Sequence, residues 1–425
     1  MSETEKESDT VLPARTAAIR VSLALLAATP AVAVRLTGLS LAPAVAVIVF
    51  GVGVLASVAL LMWAAEAVRA DISGSLALAL LSIVAILPEY AVDIFFAYRS
   101  GSDPAYAAYA TANMTGANRL LIGVAWPLLT FVAIWAIRRR GPASEYNGWF
   151  RSGIQLDKHR RIELWFLGAA TLYALIIPLT GRLAWYDTLI LGALFAGYLW
   201  RIRGNTDSEE ELTGVAATVA AQPRLRRRLL VAGLFVAAAI VILSAAEPFG
   251  QALVEAGSQL GVDRFLLVQW LAPIASESPE VLVAITFALR NRANDGMTAL
   301  LAAKLNQWTL LIACLPIAYY LGGGAAAGLP LDARQTEELV LTTAQTILGI
   351  AVLTNLRLTG GKALLLLVLF TAQFVLPDEH ARYAMSVVYV LVAVVFLLVR
   401  HRDLPSLLQA GVRTDRDRRN NSHRT

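Results

Sequence analysis

The sequence holds one cysteine, Cys314, and four histidines, His159, His380, His401 and His423, in 425 residues. A single thiol excludes an intramolecular disulfide and a cysteine-built metal cluster. The histidines all fall outside the long apolar runs, which argues against histidine ligation at membrane depth. Charge is scarce too. Asp, Glu, Lys and Arg make up 16% of the chain, where a soluble protein carries about 25%. Signatures of intramembrane hydrolysis are missing: there is no His-Glu-x-x-His and no Gly-x-Ser-Gly. Tyr186-Asp187 is half of an aspartyl intramembrane protease pair, and Gly261-Val262-Asp263 does not supply the other half. The chain therefore reads as a non-enzyme without a cofactor.

What is abundant is apolar sequence, 57% of all residues. Runs near the roughly 20 residues that cross a bilayer fall at 18–36, 42–66, 75–98, 104–137, 163–180, 183–200, 229–250, 264–290, 296–321, 335–357, 362–377 and 383–400. The fourth is long enough to bend at Pro127. This pattern predicts an all-α polytopic membrane protein of about twelve spans, whose partners are the lipid bilayer and inorganic cations. The net charge of +5 needs no nucleic acid to explain it. Residues 1–14 are polar with several acids and lead into the first run without a clear cleavage site, so no cleavable signal peptide is expected.

Basic residues set an orientation. Connections after even-numbered spans hold clusters such as Arg138, Arg139, Arg140 and Arg224, Arg226, Arg227, Arg228. Those after odd-numbered spans hold single arginines: Arg35, Arg99, Arg182, Arg264, Arg334 and Arg382. The positive-inside rule places the even connections and both termini in the cytoplasm, and the expected location is the plasma (cell inner) membrane. The chain divides into a cytoplasmic tail, 1–17; a first membrane half, 18–200; a polar cytoplasmic linker, 201–228; a second half, 229–400; and a basic tail, 401–425. Oligomeric state leaves no trace in the sequence.

A short peptide occurs twice. Pro88-Glu89 and Pro279-Glu280 each sit inside an apolar run, and each puts a helix breaker before a carboxylate. A charge at membrane depth costs roughly 2.5–3.5 kcal/mol on insertion scales, so such a residue is a functional candidate by default. Proline frees the carbonyl four residues back, here that of Val84 and Ala275. One span upstream, Ala64-Ala65-Glu66 and Ala245-Ala246-Glu247 also repeat, each near the expected end of its span. Spans two to six and seven to eleven then form two five-helix repeats. An odd number of crossings per repeat inverts the second relative to the first, with one extra helix at each end. The repeat cores cover about 42–137 and 229–321.

These residues resemble the calcium/cation antiporter superfamily, which includes sodium/calcium exchangers. Its inverted alpha repeats carry a Gly-Thr-Ser-x-Pro-Glu-like element and then a Gly-Asn-x-x-Gly-Ser-Asn-like element. Here the first repeat reads Val84-Ala85-Ile86-Leu87-Pro88-Glu89, then Ala112-Asn113-Met114-Thr115-Gly116-Ala117-Asn118. The second reads Ala275-Ser276-Glu277-Ser278-Pro279-Glu280, then Ala303-Lys304-Leu305-Asn306-Gln307-Trp308. The resemblance implies exchange of Ca2+ or another cation against Na+ or H+ by alternating access, with Glu89 and Glu280 as cation ligands meeting in one pocket at mid-membrane. The first repeat lacks the hydroxyl residues of the family element, which leaves Na+/H+ or other monovalent exchange as an alternative. A channel or a non-transporting sensor on the same fold is a different class.

Further candidates follow from helical spacing. Glu89 and Asp93 are four apart, and Glu277 and Glu280 three apart, so each pair shares a face. Carboxylates with carbonyl, amide and hydroxyl oxygens suit hard cations. The expected cation-binding set is therefore Glu89, Glu280, Asp93, Glu277, Asn113 and Ser276, with Pro88 and Pro279 as kinks. The amides of Asn118, Asn306 and Gln307 could supply oxygens or bond between helices. Two bases share this depth. Lys304, which the Glu89-to-Glu280 register aligns with Asn113, is the candidate for a tethered charge standing in for a transported cation. Arg119 is expected to pair with an acid.

Overall fold

The computed structural model describes residues 11–68, 70–71, 87–140, 148–202, 212–259, 261, 291–375 and 379–412, and between 262 and 290 residues 273, 277, 280, 281, 284, 285 and 287–289. The chain is all-α. Among the described residues eight helices are long and apolar enough to cross a membrane, and they run over residues 14–37, 43–68, 104–139, 158–180, 224–257, 293–321, 333–353 and 379–399. Of the other expected spans, two coincide with the helices Trp185–Ile202 and Gly360–Val375. The remaining two, 75–98 and 264–290, are described only in part.

Inside and outside are reversed relative to a soluble protein. Large apolar side chains such as Leu26, Val236, Leu243, Leu391 and Leu398 are exposed, while Asp93, Asn113, Asn118, Lys304, Asn306 and Gln307 are buried. Lipid is no worse a neighbour for leucine than another leucine is, so polar groups turn inward to find partners.

The chain divides into two compact units. The first comprises Met1–Asn113, Leu199–Pro279 and Ala318–Gly324, and the second Met114–Tyr198, Glu280–Ile317 and Ala325–Thr425. Each unit therefore draws on both halves of the sequence.

In the first unit, helices α1 (Ala14–Thr37), α2 (Pro43–Val68), α3 (Leu87–Ser100) and α4 (Arg224–Gln259) pack together. Leu60, Leu61, Ala64 and Ala67 of α2 meet Val231, Leu234, Ala238 and Ile242 of α4 in one apolar cluster. Small residues permit the close approach. A Cβ on Gly250 would lie 2.8 Å from the Phe95 ring of α3. Helix α4 runs on past Glu247, which therefore lies inside the helix and not near its end, to Gln259. The linker region 201–228 holds a short helix, Gly214–Ala220, before α4 begins. Beyond α2, Arg227 clamps Asp71 through two hydrogen bonds of 2.7 and 2.8 Å. That guanidinium lowers the Asp71 carboxyl to about 2.

The second unit contains helix α5 (Ala293–Asn306), α6 (Ala333–Leu353), α7 (Gly360–Val375) and α8 (Glu379–Val399), together with Trp126–Arg140 and Arg161–Ala174. Two small antiparallel ribbons tie its loops, pairing Gly153–Gln155 with Arg357–Thr359 and Arg182–Leu183 with Leu329–Pro330. Local sequence sets the helix ends. Asp332 and Gln335 form a capping box that starts α6. The Lys362 ammonium closes its other end on the carbonyl of Val352, the Asn355 amide and the carbonyl of Arg357.

The long fourth span does not break at Pro127. Its regular helix ends at Leu120 and widens into a π turn, Leu121–Ala125, before resuming at Trp126. Pro127 lacks an amide hydrogen, and the π turn falls where the regular bonding is interrupted. A Cβ on Gly123, inside this turn, would run into the Phe370 ring of α7. A second π turn, Gln307–Leu311, follows α5.

Candidate cation site

Glu89 and Asp93 both lie on α3, and both are buried, at 1% and 0% exposure. Aromatic rings hold the far part of that helix. Phe95 and Phe96 pack with Tyr106 and Tyr109, ring centroids 5.5–6.3 Å apart. Asp103 caps the turn between α3 and the next helix, accepting from the amide of Ala105 at 3.1 Å. This short, pinned connection brings Asn113 against Asp93, and the Asn113 amide donates to Asp93 Oδ1 at 2.6 Å.

Glu277 has helical backbone and is buried within the same unit. It lies near enough for its charge to repel that of Asp93. The first unit thus gathers Asp93, Asn113 and Glu277. Among the described residues Asp93 has no basic partner, and its Oδ2 and Asn113 Oδ1 accept no hydrogen bond. A buried carboxylate with a spare oxygen, beside an amide whose oxygen is also spare, is an arrangement that a cation or a proton would stabilise.

Glu280 is buried and belongs to the second unit, whereas Glu89 belongs to the first. Pro88 has helical backbone; its side chain, together with Ser276 and Pro279, lies outside the described residues, as do Val84 and Ala275. Glu66 is partly exposed, and the Glu247 side chain is outside the described residues. Among the described residues no group of three or more His, Cys, Asp or Glu side chains is placed to hold a metal ion. Asp187 accepts from the Ala184 amide and the Tyr173 hydroxyl, both at 2.6 Å, so it serves its own helix start.

Lys304 is fully buried in the second unit. Its ammonium donates to Asn118 Oδ1 at 2.6 Å and sits 4.4 Å from the centre of the Trp308 ring. Arg119 pairs with Glu338 at 2.5 Å. Glu338 also lies 3.9 Å from Arg382, which binds Glu337 at 2.7 Å. Gln345 donates to the Arg119 carbonyl. Sequence reading passed over Glu337 and Glu338. Their signal was the buried polar stripe Glu338, Thr342, Gln345 and Thr346, spaced as one face of α6.

Known proteins share the family and the fold of this chain. The sodium/calcium exchanger protein family matches residues 42–203 and 230–401. Among solved structures, the H+/Ca2+ exchanger CAX is 36% identical, with a TM-score of 0.88 over 93% of this chain and 97% of that one. The Ca2+/H+ antiporter protein YfkE is 16% identical, with a TM-score of 0.55 over 89% of this chain and 99% of that one. The sodium-calcium exchanger NCX_Mj is also 16% identical, with a TM-score of 0.52 over 78% and 98%. At 16% identity the likeness is one of fold. No curated protein matches the chain.

Proposed function

This chain belongs to the sodium/calcium exchanger protein family, and from that premise we propose that it exchanges Ca2+ for H+ by alternating access. It is an integral membrane protein and a cation antiporter; the choice of ions is our reading. The observation that carries it is the buried hydrogen bond between Asn113 and Asp93, with a second carboxylate, Glu277, buried in the same unit. Two neighbouring carboxylates are neutralised equally well by one divalent cation or by two protons. An uncompensated pair is costly to carry through a low-dielectric barrier. Only the filled states then reorient, and that requirement couples the two ions. Glu89 and Glu280 act as further cation ligands. The exchanger sits in the cell inner membrane with both termini cytoplasmic.

Similarity to the H+/Ca2+ exchanger CAX at 36% identity favours the proton as counter-ion. The second reading is monovalent cation/proton exchange. It is favoured by Ala85 and Ile86, which stand where the family element carries hydroxyl ligands; fewer oxygens suit a divalent ion less well.

Purified protein in liposomes tests the proposal. A proton gradient should drive Ca2+ uptake, and an ionophore that dissipates the gradient should stop it. Glu89→Gln and Glu280→Gln should each abolish uptake while eluting as folded protein in detergent. Wild-type flux in either variant removes that residue from the site, and a Ca2+ conductance with no counter-ion dependence makes the protein a channel.

A further inference from the structure

The two π turns fix a register between the repeats that the glutamates do not. Each is five residues long, Leu121–Ala125 in the first repeat and Gln307–Leu311 in the second. Asn118 and Lys304 each stand three residues before their π turn. Lys304 is therefore the counterpart of Asn118 and not of Asn113. In the structure these counterparts touch. In an inverted-repeat transporter, equivalent positions that meet lie on the axis relating the repeats, where substrate and coupling ions bind.

We propose that the Lys304 ammonium is a resident cation, held in a monovalent-cation subsite built from Asn118 and Trp308, and that it spares the exchanger an alkali-ion requirement. The surroundings are those of a bound cation. Asn118 Oδ1 lies 2.6 Å from Nζ, the Asn118 backbone carbonyl 3.5 Å, and the Trp308 ring face 4.4 Å. The amide is oriented for this task, because Asn118 Nδ2 donates to the Met114 carbonyl at 2.8 Å and so turns the oxygen toward the ammonium. Both side chains have 0% exposure. A buried ammonium needs polar or aromatic partners, and an amide oxygen with a ring face supplies them here. A lysine serving as packing would extend its head toward water, as lysines near helix ends do. This inference rests on the exchanger reading for its consequence, but not for the binding event.

The test removes the tether and supplies the cation. Lys304→Ala is purified in detergent and melted in NaCl, KCl or methylammonium chloride against choline chloride of equal ionic strength. The variant should show an upward, saturable Tm shift with Na+, K+ or methylammonium over choline. Wild-type protein should show none. Lys304→Gln, which keeps a polar head without charge, is the second variant and should respond in the same direction. In liposomes, wild-type exchange should be unchanged when Na+ and K+ are replaced by choline, and Lys304→Ala exchange should regain activity with the added cation. Folded variants that melt identically in all four salts reduce Lys304 to a brace between helices and overturn the proposal. So does a wild-type exchange that requires Na+ or K+. If wild-type protein moves no cation at all, the exchanger reading fails, while the melting experiment still reports on the subsite.

Discussion

Two buried polar groups in this protein follow opposite rules. In the first unit, Asp93 accepts from the Asn113 amide, and a second carboxylate, Glu277, is buried in the same unit. In the second, Arg119, Glu338, Arg382 and Glu337 alternate in sign along one chain of contacts. The alternating chain carries its own compensation. Asp93 does not share in any such balance, having no basic partner among the described residues. Buried charge that is balanced serves to fix helices, whereas buried charge of one sign calls for a ligand. The difference separates a brace from a binding site on a single physical criterion.

That contrast can be broken by substitution. The largest effect is expected in the alternating chain. Arg119→Ala leaves Glu338 buried beside a weaker partner, and breaking a buried pair costs about 3–5 kcal/mol. Thermal melts should show a large loss of Tm, and Arg119→Leu combined with Glu338→Leu should recover much of it. A melt of Arg119→Ala that overlays the wild type would remove the bracing role. In the acidic group the prediction is reversed. Asp93→Asn removes a buried charge that has no basic partner among the described residues, so Tm should hold or rise. Ca2+ affinity should fall roughly tenfold or more, about 1.4 kcal/mol for each factor of ten. A variant that loses stability and keeps affinity would make Asp93 a brace as well.

Gly123→Ala is a smaller, steric test of the second unit. The added methyl meets the Phe370 ring, and overpacking of this kind costs about 1–3 kcal/mol. Phe370→Leu should relieve part of that loss. The smallest effect belongs to the Asp71–Arg227 clamp beyond the membrane spans. The folded-state pKa of Asp71 is depressed to about 2, against about 3.9 unfolded. Its stabilisation is thus fully present above about pH 4 and lost as pH falls through about 2. The Tm gap between wild type and Asp71→Asn should be constant from pH 8 to 5 and should close in stronger acid.

The fold was largely legible in the chain because its main determinants are local. Apolar length marks the spans, and basic residues mark their connections. The repeated Pro-Glu element led to two of the buried carboxylates without a structure. Asp93 and Asn113 were also legible, one from its spacing to Glu89 and the other from the family element. Register was less so. Counting from the glutamates aligns Lys304 with Asn113, and the π turns move it to Asn118. The shift was invisible because the loops between the elements differ in length and a π turn has no sequence signature of its own.

By itself the sequence determined a helical membrane protein with two related halves and acids at depth in each, since transfer free energy adds up residue by residue along the chain. Only the tertiary structure decided that Asp93 meets Asn113, that Arg119 meets Glu338, and that Lys304 ends on Asn118. Partnership at such positions depends on how each helix is rotated about its axis. Packing against neighbours distant in sequence sets that rotation, and nothing within a single helix does.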